Sequence, residues 1–212
     1  MGLVKLNDRG VRSATAFGSL SGGSMTFIKK LTASSSDTLS FVDGASDVVF
    51  DDTYKEYLFT FNNIHPETNG ADFTFQADTS GNTDYDQTMT TAMFWAQHKE
   101  DGTDAAVEYR GDLDQAQGTA FQTFIHDIGN GNDESGSGYL HLFNPSSTTF
   151  VKHFMARLQT YYPYSAGSAD YTSDIYVAGY CNVTAAIDGV QFKFASGNID
   201  AGQIKLYGIK DS

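Results

Sequence analysis

The chain has 212 residues, a length that one β-sandwich or barrel can occupy without splitting. Its 21 glycines, three prolines, 16 phenylalanines and 12 tyrosines favour many short strands joined by glycine turns, with aromatic side chains packed on pleated faces. A formal charge of −13 without a dense Lys/Arg cluster argues against a nucleic-acid partner, and the single cysteine, Cys181, excludes an intrachain disulfide framework and a multi-cysteine zinc site.

Residues 1–23 differ from the rest. They hold Lys5, Arg9 and Arg12 against Asp8, a net of +2, so the formal −13 of the whole chain leaves −15 on residues 24–212. Leu3, Val4, Leu6, Val11 and Phe17 are interrupted by Asn7-Asp8-Arg9-Gly10 and followed by the glycine-serine junction Gly18-Ser19-Leu20-Ser21-Gly22-Gly23. The segment reads as a docking arm ordered by a neighbouring surface, with an edge strand of its own domain as the alternative. No apolar run approaches the length of a membrane span or a secretory h-region, so neither membrane insertion nor Sec export is expected.

The body, residues 24–212, opens with strand candidates Met25–Thr32 and Leu39–Val42. Tyr57, Phe59 and Phe61 then alternate against Leu58 and Thr60, and Asn62-Asn63-Ile64-His65-Pro66 reads as a break after that strand, because proline holds the residue before it extended. Phe73 and Phe75 share a face in the next run. Residues 93–98, 139–143, 150–161 and 173–183 continue the series, and Trp95, in an apolar run, is expected in the core. Two segments are candidates for a helix: 84–91, rich in threonine, and 112–124, where Asp114, Ala116, Gln117 and Ala120 make one short helix the better reading. In residues 189–209, Val190, Phe192 and Phe194 alternate against Gln191 and Lys193, and Ile204 and Leu206 against Gln203, Lys205 and Tyr207; the pattern predicts a closing β-hairpin. The total is nine or ten strands without an internal repeat, which points to an all-β, antiparallel, jelly-roll-like sandwich with an extended N-terminal arm.

Little in the chain asks for chemistry. Residues 127–134 and the group Asp78, Asp84 and Asp86 around Gly81 offer oxygen ligands on glycine turns, but Gly129 and Gly131 fall where an EF-hand loop needs ligands, so solvated turns are the default. The histidines His65, His98, His126, His141 and His153 lack H-x-x-x-H and H-E-x-x-H spacing; His141 and His153, in adjacent strand candidates, have the chance to meet across a sheet. No metal and no cofactor is expected. G-x-S-x-G is absent, which leaves a serine hydrolase without its nucleophile turn. Tyr161, Tyr162, Tyr164 and Tyr171 read either as a sugar-stacking platform or as a loop stiffened by Pro163, and Cys181 reads as a small buried thiol.

The ending GNIDAGQIKLYGIK, a glycine-rich turn followed by I-x-LYGI, resembles the C-terminal ending of a family of virion structural proteins of marine bacteriophages. Phe50-Asp51-Asp52-Thr53-Tyr54, Gly129-Asn130-Gly131-Asn132-Asp133, Leu140-His141-Leu142-Phe143-Asn144-Pro145, Val151-Lys152-His153-Phe154 and Val177-Ala178-Gly179-Tyr180 look like that family too, over about residues 38–212. The resemblance implies a β-sandwich component of the virion, labelled structural, tail-fibre or decoration protein, and implies no catalytic residues. The expectation is therefore a binding protein located in the virion and not an enzyme, with other virion proteins (capsid or tail subunits) as partners and homo-oligomerisation. Attachment would run through Leu3, Val4, Lys5, Leu6, Arg9, Val11, Arg12 and Phe17 by apolar burial and charge pairing. A receptor- or glycan-binding module for a host surface glycan is the alternative.

Overall fold

The computed structural model describes residues 24–79, 81, 83–162 and 170–210. The arm, residues 1–23, and with it every expected attachment residue, lies outside the described residues, as do Pro163 and Tyr164.

Thirteen strands and no helix form among the described residues: β1 (Met25–Thr32), β2 (Leu39–Val42), β3 (Glu56–Pro66), β4 (Ala71–Thr79), β5 (Met89–Lys99), β6 (Ala105–Tyr109), β7 (Ala116–Gly118), β8 (Gln122–Ile128), β9 (Gly136–Phe143), β10 (Lys152–Tyr162), β11 (Tyr171–Cys181), β12 (Ile187–Phe194) and β13 (Ile199–Ile209). They make two antiparallel sheets. The nine-stranded sheet runs β1-β13-β3-β9-β10-β11-β5-β6, with β7 also paired to β5, and the four-stranded sheet runs β2-β12-β4-β8. If β5–β7 and β10–β11 are set aside, the remaining eight strands, counted along the chain, have the order 1-8-3-6 in one sheet and 2-7-4-5 in the other. That is the topology of a jelly roll, two interlocked Greek keys. The five additional strands enter between β4 and β8 and between β9 and β12, and all of them extend the same sheet.

The core lies where the two sheets overlap. Alternation puts Tyr57, Phe59 and Phe61 of β3 and Ile204 and Leu206 of β13 on the inner face of the broad sheet, opposite Phe73 and Phe75 of β4 and Val190 and Phe192 of β12, all at most 1% exposed. Phe192 is the hub: its ring centroid lies 5.1 Å from Phe61, 5.5 Å from Phe59, 5.9 Å from both Phe73 and Phe75, and 6.4 Å from Phe41. Most of these pairs meet edge to face or tilted, as the ring quadrupole favours. Trp95 and Cys181 are buried, as expected.

Several expectations need correction. The alternating runs of residues 189–209 do not form a hairpin: β12 pairs with β2 and β4, and β13 with β1 and β3, so the chain crosses from one sheet to the other between them. Their apolar faces meet across the core, which satisfies the same alternation without mutual pairing. Residues 112–124 form no helix but a turn, β7 and the start of β8; Gln122 uses its amide to donate to the Leu113 and Thr123 carbonyls while its Oε1 accepts from Thr91 Oγ1 at 2.6 Å, tying the segment to β5. Residues 84–91 are likewise non-helical and lead into β5. Asn62-Asn63 is a bulge within β3 and not a break: Asn63 has φ +50°, its N–H donates to Ser137 Oγ, and the strand continues to Pro66.

The C-terminal motif has a packing explanation. Leu206 is buried, Tyr207 faces out, and at Gly208 a Cβ would lie 2.4 Å from ring carbons of Tyr54. Only a glycine lets the Tyr54 ring lie on the strand there.

Candidate functional site

The broad sheet is about twice as wide as the smaller one; on β5 and β11 the inner face stays buried through Met89, Met93, Ile175, Val177 and Cys181 and turns polar toward one end. Here the inward alternation changes chemistry. On β5 it runs Met89, Thr91, Met93, Trp95, Gln97; cross-strand pairing sets Glu108 of β6 beside Trp95, and β11 adds Tyr171 and Ser173. Trp95, Gln97, Glu108 and Tyr171, together with Asp104, Arg110 and His126, line a cleft of about 330 Å³.

The cleft's polar groups are held in place. Trp95 Nε1 donates to Glu108 Oε2 at 3.3 Å, Tyr171 Oη to Asp104 Oδ2 at 2.9 Å, and Gln97 Nε2 to Ser173 Oγ at 2.9 Å. Arg110 lies flat on Trp95, its guanidinium carbon 3.8 Å from the ring centroid, and grips Asp112 with two hydrogen bonds of 2.9 and 2.7 Å. That fork holds the Asp112 carboxyl down at about 2. The indole is therefore a wall of the cleft and a donor to Glu108, because the guanidinium occupies its face.

His126, on β8, closes one side. Its Nδ1 donates to Asp72 Oδ1 at 2.8 Å and its Nε2 lies 3.3 Å from Asp127 Oδ2, while the Asp127 N–H also donates to Asp72. The bond to Asp72 raises the His126 pKa above its ordinary value against the effect of burial and of Arg110. Burial alone would raise the Asp72 carboxyl, but the His126 and Asp127 donors outweigh it and hold the group low. Asp72, His126 and Asp127 bring ligand atoms within 4.8 Å of one another, the spacing of a metal group. An imidazole with both nitrogens turned to carboxylates is, however, better described as an imidazolium bridging them.

The opposite, outer face of the broad sheet has a different character. Register aligns Tyr139, Arg157, Tyr176, Phe94 and Tyr109 in one row across β9, β10, β11, β5 and β6. The next row holds Phe27, Tyr207, Leu58, His141 and Met155. Phe94 and Tyr176 stack at 4.8 Å and 5°, and Arg157 lies over Tyr176 while pairing with Asp174 through two bonds of 2.9 and 2.7 Å. Phe27, Met155 and Tyr109 are 56%, 57% and 63% exposed. The charges on the face, Lys30, Lys205 and Arg157 against Glu56 and Asp174, nearly cancel, in a chain of formal charge −13.

The remaining candidates resolve into structure. His141 and His153 do not meet: His141 stands opposite Met155 with its Nε2 2.8 Å from Glu56 Oε2, and His153 packs on Tyr180. In the loop after β8, Asn130 and Glu134 are engaged with protein groups, Asn130 Nδ2 donating to Glu67 O and Glu134 Oε2 accepting from the Gly131 N–H. Asp78 is buried, and burial together with Asp188, Asp84 and Asp86 raises its pKa. Tyr161 Oη bonds Asp170, which pushes the phenol up to about 12. Buried Lys152 donates to three carbonyls, Phe150, Val183 and Thr184, at 2.8, 3.2 and 3.3 Å. Burial pushes the neighbouring Cys181 thiol up to about 12, which makes it inert. No sequence motif announced the cleft; the available signal was the alternation of β5 turning polar after Trp95. Comparison of the chain with protein-family models, with curated proteins and with solved structures returned no match.

Proposed function

We propose that the protein is a structural component of a bacteriophage particle, decorating the capsid or forming part of a tail or fibre, that acts by binding and not by turnover. The observation that carries this reading is the outer face of the broad sheet: a wide, nearly charge-neutral surface of exposed Tyr, Phe, Met and Arg, the residue types enriched where protein subunits meet. Its occupant is a second copy of this chain. Two copies of a −13 chain repel over most of their surface, and this face is where they approach without that cost. The resemblance of the ending and of residues 38–212 to marine-phage virion proteins supports the particle, and the jelly roll, common among capsid and lectin domains, is compatible with it by fold analogy alone. Residues 1–23, basic beside an acidic body, serve as the segment that docks on another virion subunit.

Sedimentation velocity tests the face. Wild type should self-associate as concentration rises, and Phe94→Glu with Met155→Glu should remain monomeric at an unchanged melting temperature. A wild type that stays monomeric throughout would overturn the packing role. Deleting residues 1–20 should leave the fold intact and abolish incorporation into particles; a truncated chain that still incorporates removes the arm's role.

A further inference from the structure

We propose that the cleft between β8 and the β11-β5-β6 part of the broad sheet is a saccharide-binding site that takes one or two rings of a neutral sugar through vicinal hydroxyls. The inference does not depend on the particle reading, and it deepens only the glycan-binding alternative by giving it a site.

Size comes first. A cleft of about 330 Å³ sits at the low end of the roughly 300–1,000 Å³ of small-ligand sites, too small for a folded partner or a long peptide. The lining then sets the chemistry. Asp104 and Glu108 each give one oxygen to a protein donor, Tyr171 Oη and Trp95 Nε1, and so present the other to a ligand donor. Gln97, its amide nitrogen on Ser173, presents its carbonyl oxygen in the same way. The cleft thus offers three fixed acceptors close together, which match adjacent hydroxyls on a sugar ring. Because each side chain is already held by a partner, binding requires little ordering of the protein. Charge excludes the anionic alternatives. Of the cationic side chains in the lining, Arg110 is paired with Asp112 and His126 faces Asp72 and Asp127, so phosphates, sialic acids and uronates would meet the Asp104 and Glu108 carboxylates with those cations already engaged. The cleft opens on the inner side of the sheet, away from the packing face, so both surfaces can be occupied in one molecule.

Trp95 is the only tryptophan, so its indole N–H resonance and its fluorescence report on this cleft alone. The probes are the methyl glycosides of glucose, galactose, mannose and N-acetylglucosamine, with glucuronate and sialic acid as anionic counterparts, titrated into the full chain. At least one neutral glycoside should shift the indole resonance saturably. Glu108→Gln and Gln97→Ala, both at non-core positions, should weaken that binding about tenfold or more, a factor read directly in the dissociation constant, with the melting temperature unchanged. Tyr139→Ala, on the outer face, should leave it unaltered. Anionic sugars binding as well as neutral ones, affinity indifferent to Glu108→Gln and Gln97→Ala, or an indole resonance unmoved by every glycoside would each overturn the proposal. A negative result here leaves self-association untouched, and loss of self-association leaves this titration untouched.

Discussion

Under the four-stranded sheet, the inner face of the broad sheet carries Tyr57, Phe59, Phe61, Leu140, Leu142, Ile204 and Leu206, none more than 1% exposed. On β5, β6 and β11 the same inward alternation, apolar and buried at Met93, Ile175 and Val177, goes over toward one end to Trp95, Gln97, Glu108, Tyr171 and Ser173. The first region is filled by phenylalanine rings against an opposing layer, and the polar end is organised by hydrogen bonds among groups that line a cleft. Stability and recognition are thus separated along the same strands: where apolar packing ends, the inward positions become available for ligand contacts.

The largest loss of stability is expected where the hub of the phenylalanine core is cut. Phe192→Ala removes a ring that touches Phe41, Phe59, Phe61, Phe73 and Phe75 and should cost about 3–5 kcal/mol, read as a fall in the denaturant midpoint at unchanged m-value. A loss of less than a fifth of that would mean the rings do not form one core. In the extension, the largest effect belongs to a polar residue: Lys152→Ala leaves the Phe150, Val183 and Thr184 carbonyls without their donor and should cost about 1–3 kcal/mol by the same measurement. If Lys152→Met matched wild type, packing of the stem and not the ammonium would be what holds β10.

Comparable in size is Gly208→Ala, where the new methyl collides with the Tyr54 ring and should cost about 1–3 kcal/mol as overpacking, near the lower figure if the ring swings outward. An unchanged melting temperature would leave the motif's glycine without a packing role. The gentlest probe is pH. His126 has its folded pKa raised, so the stability it gains from Asp72 is complete below its unfolded value, ordinarily 6.5, and is lost as pH rises through the folded value. Asp72, held low, contributes above its ordinary 3.8 and loses that as pH falls through its folded value. The pair therefore acts fully between those two ordinary values, and the difference in melting temperature between wild type and Asp72→Asn should shrink from pH 6 to pH 9. A difference that is flat or grows with pH would contradict the imidazolium bridge.

Most of the fold was legible because period-two alternation reports which face of a strand is apolar. It does not report the neighbour. Val190, Phe192 and Phe194 were placed on a buried face correctly, yet the short connection to Ile204 and Leu206 suggested a hairpin where the chain changes sheets, because two strands facing one core from opposite layers share one pattern. Residues 112–124 misled for the opposite reason: β8 is buried on both faces, so Gln122, Thr123, Phe124 and Ile125 show no alternation, and Ala116 and Ala120 imitate a helical spacing. β6, an edge strand exposed along most of its length, had no apolar face to read. The cleft was hidden because Gln97, Asp104, Glu108, Arg110, His126 and Tyr171 come from four strands and the turns between them. Trp95, placed in the core, is buried there and walls the cleft as well.

The most direct test of the account is a reconstruction of a particle that carries this chain. The account predicts neighbouring copies packed through the rows of Tyr139, Arg157, Tyr176, Phe94 and Tyr109 and of Phe27, Tyr207, Leu58, His141 and Met155, with residues 1–23 on another subunit and the Trp95 cleft open to solvent. Copies that meet through the cleft while those rows face solvent would contradict it.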